Sequence, residues 1–160
     1  MASFEPILTE RLLIRKLEIG DAQAFFKYRS LPQLYEYQSF QPKNEEDVKL
    51  FFEAIAELPN IQNTWFQLAV CLKETNHMIG DIGIHFLNDD TQTEIGYTID
   101  PDYQGKGYAR ESVSAVIDYL FKVLHKHRVT ASVDPDNKKS IRLLESIGMI
   151  NDVWKDDCIQ

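Results

Sequence analysis

Residues 100–113 read DPDYQGKGYARESV, with Gly105 and Gly107 one residue apart between a β-like run and a helix-like run. Helix N-termini carry unpaired N–H groups and about half a positive charge, so they can hold an anion without a lysine. Glycine lets the backbone turn sharply and approach that anion closely, because no Cβ intervenes. Small Ala109 keeps the helix start near the strand, and Lys106 and Arg110 add outer positive charge. A Walker A loop does not fit: it needs a longer stretch between its glycines and a following Gly-Lys-Ser/Thr. A dinucleotide fingerprint fits poorly. Arg110 stands where Gly or Ala is required, and the turn follows a β-meander instead of opening a parallel unit. Taken alone, the two glycines read equally well as a tight turn that uses them only for positive φ.

The elements that must position this turn are read from apolar spacing. Residues 11–17 (RLLIRKL) read as a first strand, and Gly20-Asp21 opens a short helix holding Phe25, Phe26 and Tyr28. Asn44 reads as an N-cap with Glu45, Glu46 and Asp47 in the first turn. Val48, Phe51, Phe52 and Ile55 then recur at helical spacing until Leu58-Pro59-Asn60. Residues 65–72 and 78–87 are β-like, joined at Glu74-Thr75-Asn76. The second run puts Ile82, Ile84 and Phe86 on one face and Asp81, Gly83 and His85 on the other. Residues 93–99 alternate again, with Ile95, Tyr97 and Ile99 as the apolar set. Three such runs with short turns predict an antiparallel meander.

After the glycines, residues 109–125 are amphipathic, with Val113, Val116, Ile117, Leu120, Phe121 and Leu124 along one stripe. Residues 128–133 read as a strand. Asn137 caps a last helix carrying Ile141, Leu143, Leu144 and Ile147, which Gly148 ends. The order β-α-α-β-β-β-α-β-α predicts an α/β (α+β) fold, a mixed sheet covered by helices. With no repeat, low-complexity stretch or linker, residues 1–160 are expected to form a single domain.

At 44% hydrophobic and 26% charged, the composition is that of a globular protein with a core. The net charge of −8 lacks the basic footprint of a nucleic-acid binder, and no apolar run is long enough to span a membrane. Glu5, Glu10 and Arg11 interrupt the N-terminal region where a signal peptide needs an apolar stretch, so a cytoplasmic location is expected. Cys71 and Cys158 stand isolated, which implies neither a disulfide framework nor a metal cluster.

With these motifs in order, the chain resembles the GNAT superfamily of acetyl-CoA-dependent N-acetyltransferases. Its signature, Gln/Arg-x-x-Gly-x-Gly/Ala at a helix start, reads here Gln104-Gly105-Lys106-Gly107-Tyr108-Ala109. The preceding EIGYTIDPDY looks like the family's fourth strand, and NKKSIRLLESIGM like its fourth helix. LTERLLIRKL and TWFQLAV resemble the branch that acetylates the N-terminal alanine of ribosomal proteins. The resemblance covers most of residues 7–149 and implies a mainly antiparallel twisted sheet with helices on both faces.

It also implies roles for particular residues. The turn from Gln104 through Ala109, with Arg110 adjoining, would bind the diphosphate of acetyl-CoA. The fourth and fifth strands would splay, and the backbone of Tyr97, Thr98 and Ile99 would pair with the pantetheine amides. An open strand edge suits such an extended ligand. Asn137 would contact the cofactor arm as well as cap its helix. Transfer needs a neutral amine. A peptide α-amine titrates at about 8, whereas a lysine amine at about 10.4 costs roughly 3 kcal/mol more to deprotonate. Glu94 matches a family position that often supplies the base, directly or through water. Asp81 and His85 could line the same cleft. Where many members place a tyrosine to reprotonate the departing thiolate, this chain has Leu144; the resembling branch often has a serine earlier in the helix, which Ser140 fits.

Only INDVWKDDCIQ follows Met149, so the family's last two strands are expected to be shortened, with residues 154–160 contributing to one of them. A second subunit of a homodimer could supply what is missing. The resulting expectation is transfer of acetyl from acetyl-CoA to a primary amine, foremost a protein N-terminal α-amine. A polyamine, amino acid or antibiotic is the alternative acceptor, and a non-catalytic acyl-CoA-binding module the alternative class. No metal is expected. The acceptor loop over residues 31–43 carries no readable code.

Overall fold

The computed structural model describes residues 3–34, 40–134, 136–152 and 158–159. Positions 35–39 of the expected acceptor loop lie outside the described residues. Strands β1 (Ile7–Leu8), β2 (Leu12–Lys16), β3 (Thr64–Leu72), β4 (Met78–Phe86) and β5 (Gln92–Ile99) pair antiparallel in succession. Helices α1 (Ala22–Arg29) and α2 (Glu45–Ala54) intervene between β2 and β3. Strand β6 (Arg128–Ser132) joins β5 in parallel, reached through α3 (Tyr108–Lys122), the crossover that a parallel pair needs. Helix α4 (Lys138–Ser146) follows.

Among the described residues, the C-terminal end forms two strands of two residues each. β7 (Asn151–Asp152) pairs antiparallel with β8 (Cys158–Ile159), and β8 also lies antiparallel to β6. The last two strands are thus shortened, as the short C-terminal segment led one to expect.

Helices cover both faces. Phe66, Leu68 and Val70 of β3 join Val113, Val116 and Leu120 of α3 and Leu144 of α4 in one core. Ala69 and Cys71 of the same strand join Phe25 and Tyr28 of α1 and Val48 of α2 in the other. A strand covered on both sides reads as a continuous apolar run, which is why TWFQLAVCL shows no clean alternation. Each fully buried Leu, Ile or Val stabilises this arrangement by about 1.5–3 kcal/mol before entropy is counted.

The caps behave as their residue types dictate. The Asn44 side chain accepts from the Asp47 N–H at 2.9 Å, and the Asn137 side chain from the Ser140 N–H at 3.3 Å. The apolar stripe of α3 runs on to Leu124, yet the helix ends at Lys122; His125 just beyond adopts φ 57°. Among the described residues, no helix is long and apolar enough to cross a membrane.

The parallel pairing of β5 with β6 is short. It runs from Gln92↔Arg128 to Ile95↔Ala131 and stops there. Among the described residues, 96–99 thus have no strand partner on the β6 side, and the two strands part as they approach the glycine turn.

Candidate functional site

Gly105 and Gly107 adopt φ 78° and 85°, the left-handed region that a side chain strains. A Cβ on Gly105 would meet nothing within 4 Å, so only its dihedral requires glycine. One on Gly107 would come 3.3 Å from Arg11 Nη2, so space counts there too. Helix α3 starts directly behind with no side-chain cap, which leaves its first N–H groups for another acceptor. Gln104, Gly105, Gly107, Tyr108, Ala109 and Arg110 all line a cavity of about 480 Å³. Lys106 is not in that lining. Its ammonium lies 5.7 Å over the Tyr103 ring, and its carbonyl accepts from Arg11 Nη1 at 3.0 Å. Gln104 Nε2 donates to the Ile99 carbonyl at 2.9 Å, which ties the turn to the end of β5.

Arg11 braces this turn from the far side of the chain. Besides the Lys106 carbonyl it meets Glu111 Oε1 through Nε at 2.7 Å and stacks its guanidinium 4.3 Å over Tyr108. Glu111 also accepts from the Arg11 N–H at 2.9 Å and the Thr9 hydroxyl at 2.5 Å. Burial pushes the Glu111 carboxyl up, but these hydrogen bonds outweigh it and hold it below the usual range. The carboxylate is thus kept charged in the first turn of α3.

The same cavity continues along Tyr97, Thr98 and Ile99 to Asn137, Lys139, Ser140 and Leu143 of the last helix region. A second cavity of about 480 Å³ is walled by Phe40, Phe51 and Trp65, with Gln67, Asp81 and Asp134 as polar groups. Tyr97, Thr98, Asn137 and Ser140 line both. The cavities therefore meet at the gap where β5 and β6 part. An extended ligand entering beside the glycine turn would reach a second reactant at that gap.

At the gap the Tyr97 hydroxyl and Ser140 Oγ lie 2.5 Å apart, and either can donate. Burial pushes the Tyr97 phenol up, and the Ser140 contact pulls it back in part. Asn137, expected both to cap α4 and to face a ligand, caps it and lines both cavities. Glu94 stands one position before the second cavity's lining begins at Ile95. It accepts from Ser132 Oγ at 3.1 Å and lies 3.5 Å from His85 Nδ1. His85 in turn stacks on Trp65 at 4.7 Å. Glu94, His85 and Trp65 thus form a polar edge to the aromatic wall.

Asp81 lies in the lining but is already engaged. Arg29 Nη2 donates to it at 2.6 Å, and the Tyr28 hydroxyl donates to it as well. Burial would lower the Arg29 guanidinium, but the Asp81 charge outweighs it and keeps the pair ionic. Leu144 is fully buried in the core, so it contributes packing and not a polar group.

The turn, the strand edge and Ser140 were legible in the sequence; the Arg11 brace, the Tyr97 side chain and the Arg29–Asp81 pair were not. Tyr97 shares strand parity with Ile95 and Ile99, which hid a polar tip among apolar neighbours. Arg11 and Glu111 lie too far apart in the chain for any local signal. Among the described residues, no group of His, Cys, Asp or Glu is arranged to hold a metal ion.

Residues 11–150 match the family model described as the acetyltransferase (GNAT) domain. The chain is 34% identical to the uncharacterized N-acetyltransferase YnaD of Bacillus subtilis (strain 168), over 96% of this chain and 87% of that protein. It is 32% identical to the uncharacterized N-acetyltransferase p20 of Bacillus licheniformis, over 94% and 88% of the two chains. The crystal structure of a GNAT-family acetyltransferase from Bacillus anthracis superimposes with a TM-score of 0.82 at 33% identity, covering 92% of this chain and 85% of that one.

Proposed function

The chain belongs to the acetyltransferase (GNAT) domain family, and on that premise we propose that it transfers acetyl from acetyl-CoA to the α-amine of a protein or peptide N-terminus. The chain is an acyltransferase, an N-acetyltransferase with acetyl-CoA as co-substrate and an amine as acceptor. The observation that carries the finer reading is the pair of cavities meeting where β5 and β6 part.

The donor takes the first cavity. Its diphosphate is held by the turn from Gln104 to Ala109 with Arg110 beside it, and its pantetheine arm runs along Tyr97, Thr98 and Ile99 past Asn137. The acceptor takes the second cavity. Among the described residues, that lining offers two carboxylates, Asp81 and Asp134, and Asp81 is neutralised by Arg29. A polycation finds little to hold it there, whereas a single amine followed by a peptide backbone suits the aromatic walls and Gln67. Glu94, directly or through water and His85, takes the proton from the ammonium. Ser140 belongs to the step that returns a proton to the sulfur. The setting we propose is the cytoplasm, with the chain acting as a single domain.

The [Ribosomal protein uS5]-alanine N-acetyltransferase of Escherichia coli supports the peptide acceptor, at 36% identity over 39% of this chain and 32% of that protein. A second reading is favoured by longer but weaker similarity: the spermidine N(1)-acetyltransferase of Vibrio cholerae is 24% identical over 91% of this chain. Thiol release from acetyl-CoA with N-terminal-alanine peptides, spermidine and spermine separates the two. Peptide turnover with inert polyamines is expected, and the reverse refutes the assignment. Gly107→Glu, which puts bulk and negative charge at the turn, is expected to abolish acetyl-CoA binding by calorimetry.

A further inference from the structure

We propose that the Tyr97 phenol is the proton donor to the departing CoA sulfur, with Ser140 as the residue that orients it. The inference rests on the acetyltransferase reading above and assigns one step of it. Four residues line both cavities, and three carry a hydroxyl: Tyr97, Thr98 and Ser140. Tyr97 and Ser140 are hydrogen-bonded to each other at 2.5 Å. The thioester must stand where the cavities meet, since only there can an amine reach it. The hydroxyl pair is at that place.

The chemistry selects between the two hydroxyls. A phenol ionises at about 10, an aliphatic hydroxyl far higher, and a thiol at about 8.5. The phenol is thus the only group of the pair close enough in acidity to protonate a leaving thiolate. Burial keeps it in its protonated form at neutral pH, as an acid must be. The charged groups lining the two cavities are Arg110 and Lys139 in the first and Arg29, Asp81 and Asp134 in the second. In the step, the amine nitrogen forms a bond to the acetyl carbon and the carbon–sulfur bond breaks with its electron pair going to sulfur. The Tyr97 proton moves to that sulfur to give CoA thiol. The proton lost by the amine nitrogen passes to the base and solvent, from which the tyrosinate is reprotonated.

The test uses the full chain, acetyl-CoA and the amine that wild type turns over fastest. Tyr97→Phe is expected to lower kcat about 10²-fold with acetyl-CoA affinity within twofold of wild type, and Ser140→Ala to cost less than Tyr97→Phe. Replacing Tyr97 with 3,5-difluorotyrosine keeps ring and hydroxyl but makes the phenol more acidic. It is expected to add a descending alkaline limb to the rate profile below pH 9 that wild type lacks. A packing role would move neither the limb nor kcat at constant affinity. Tyr97→Phe within threefold of wild type, or a difluorotyrosine profile that superimposes on wild type, overturns the assignment. If Tyr97→Phe fails to fold, the difluorotyrosine profile alone decides. A wild-type enzyme that releases no thiol with any amine overturns the transferase reading itself, and is seen before any variant is made.

Discussion

At the scale of single residues, Glu94 shows how a side chain's neighbours define the job it can do. Its carboxylate is held from two sides, by Ser132 Oγ and beside His85 Nδ1, next in the chain to Ile95 of the second cavity's lining. If Glu94 is the base proposed above, His85 and water are the groups through which it would act. Glu94→Gln keeps the shape and removes the basicity. It is expected to reduce kcat about 10²-fold and to leave acetyl-CoA affinity, measured by calorimetry, near wild type. Equal rates for the two proteins between pH 6 and 9 would take Glu94 out of the mechanism. The family resemblance pointed to Glu94 in the sequence. Its contact with Ser132 did not, because it joins two strands related only by the crossover through α3.

At the scale of elements, the turn into α3 combines a local conformation with a distant support. Gly105 and Gly107 provide the left-handed backbone, and Gln104 ties it locally to the Ile99 carbonyl. Arg11, just before β2, supplies the distant support through Lys106, Glu111 and Tyr108. Arg11→Ala is therefore expected to raise KM for acetyl-CoA roughly three- to tenfold while kcat at saturating donor stays close to wild type. An unchanged KM would mean the turn holds its shape unaided. The glycines were readable because conformational need maps onto residue type one position at a time. The brace was not, because an Arg–Glu pair closed across the fold leaves no periodicity in the chain.

At the scale of the whole molecule, two helix layers seal the central strands on both faces, and Cys71 of β3 is fully buried beneath α1 and α2. Burial pushes its thiol up to about 11. The folded state then holds this proton after the unfolded chain has released it. The contribution to stability is intact below about pH 8.5 and is lost as pH rises toward about 11. Urea midpoints are expected to fall between pH 9 and 11, and Cys71→Ala to flatten that fall. A midpoint independent of pH in wild type would contradict it.

The longer helices and strands, their order, the glycine turn and the family resemblance were legible in the chain, because periodicity, capping and backbone freedom act over a few residues at a time, whereas the two-residue strands β1 and β7 were not. The resemblance gave Tyr97 a backbone role, and its side chain read as one more apolar position on β5. That the β5–β6 pairing stops at Ile95, that two cavities share Tyr97, Thr98, Asn137 and Ser140, and that Tyr97 meets Ser140 follows from tertiary packing. Those facts depend on where separate elements come to rest against one another, and no local stretch of sequence carries that information.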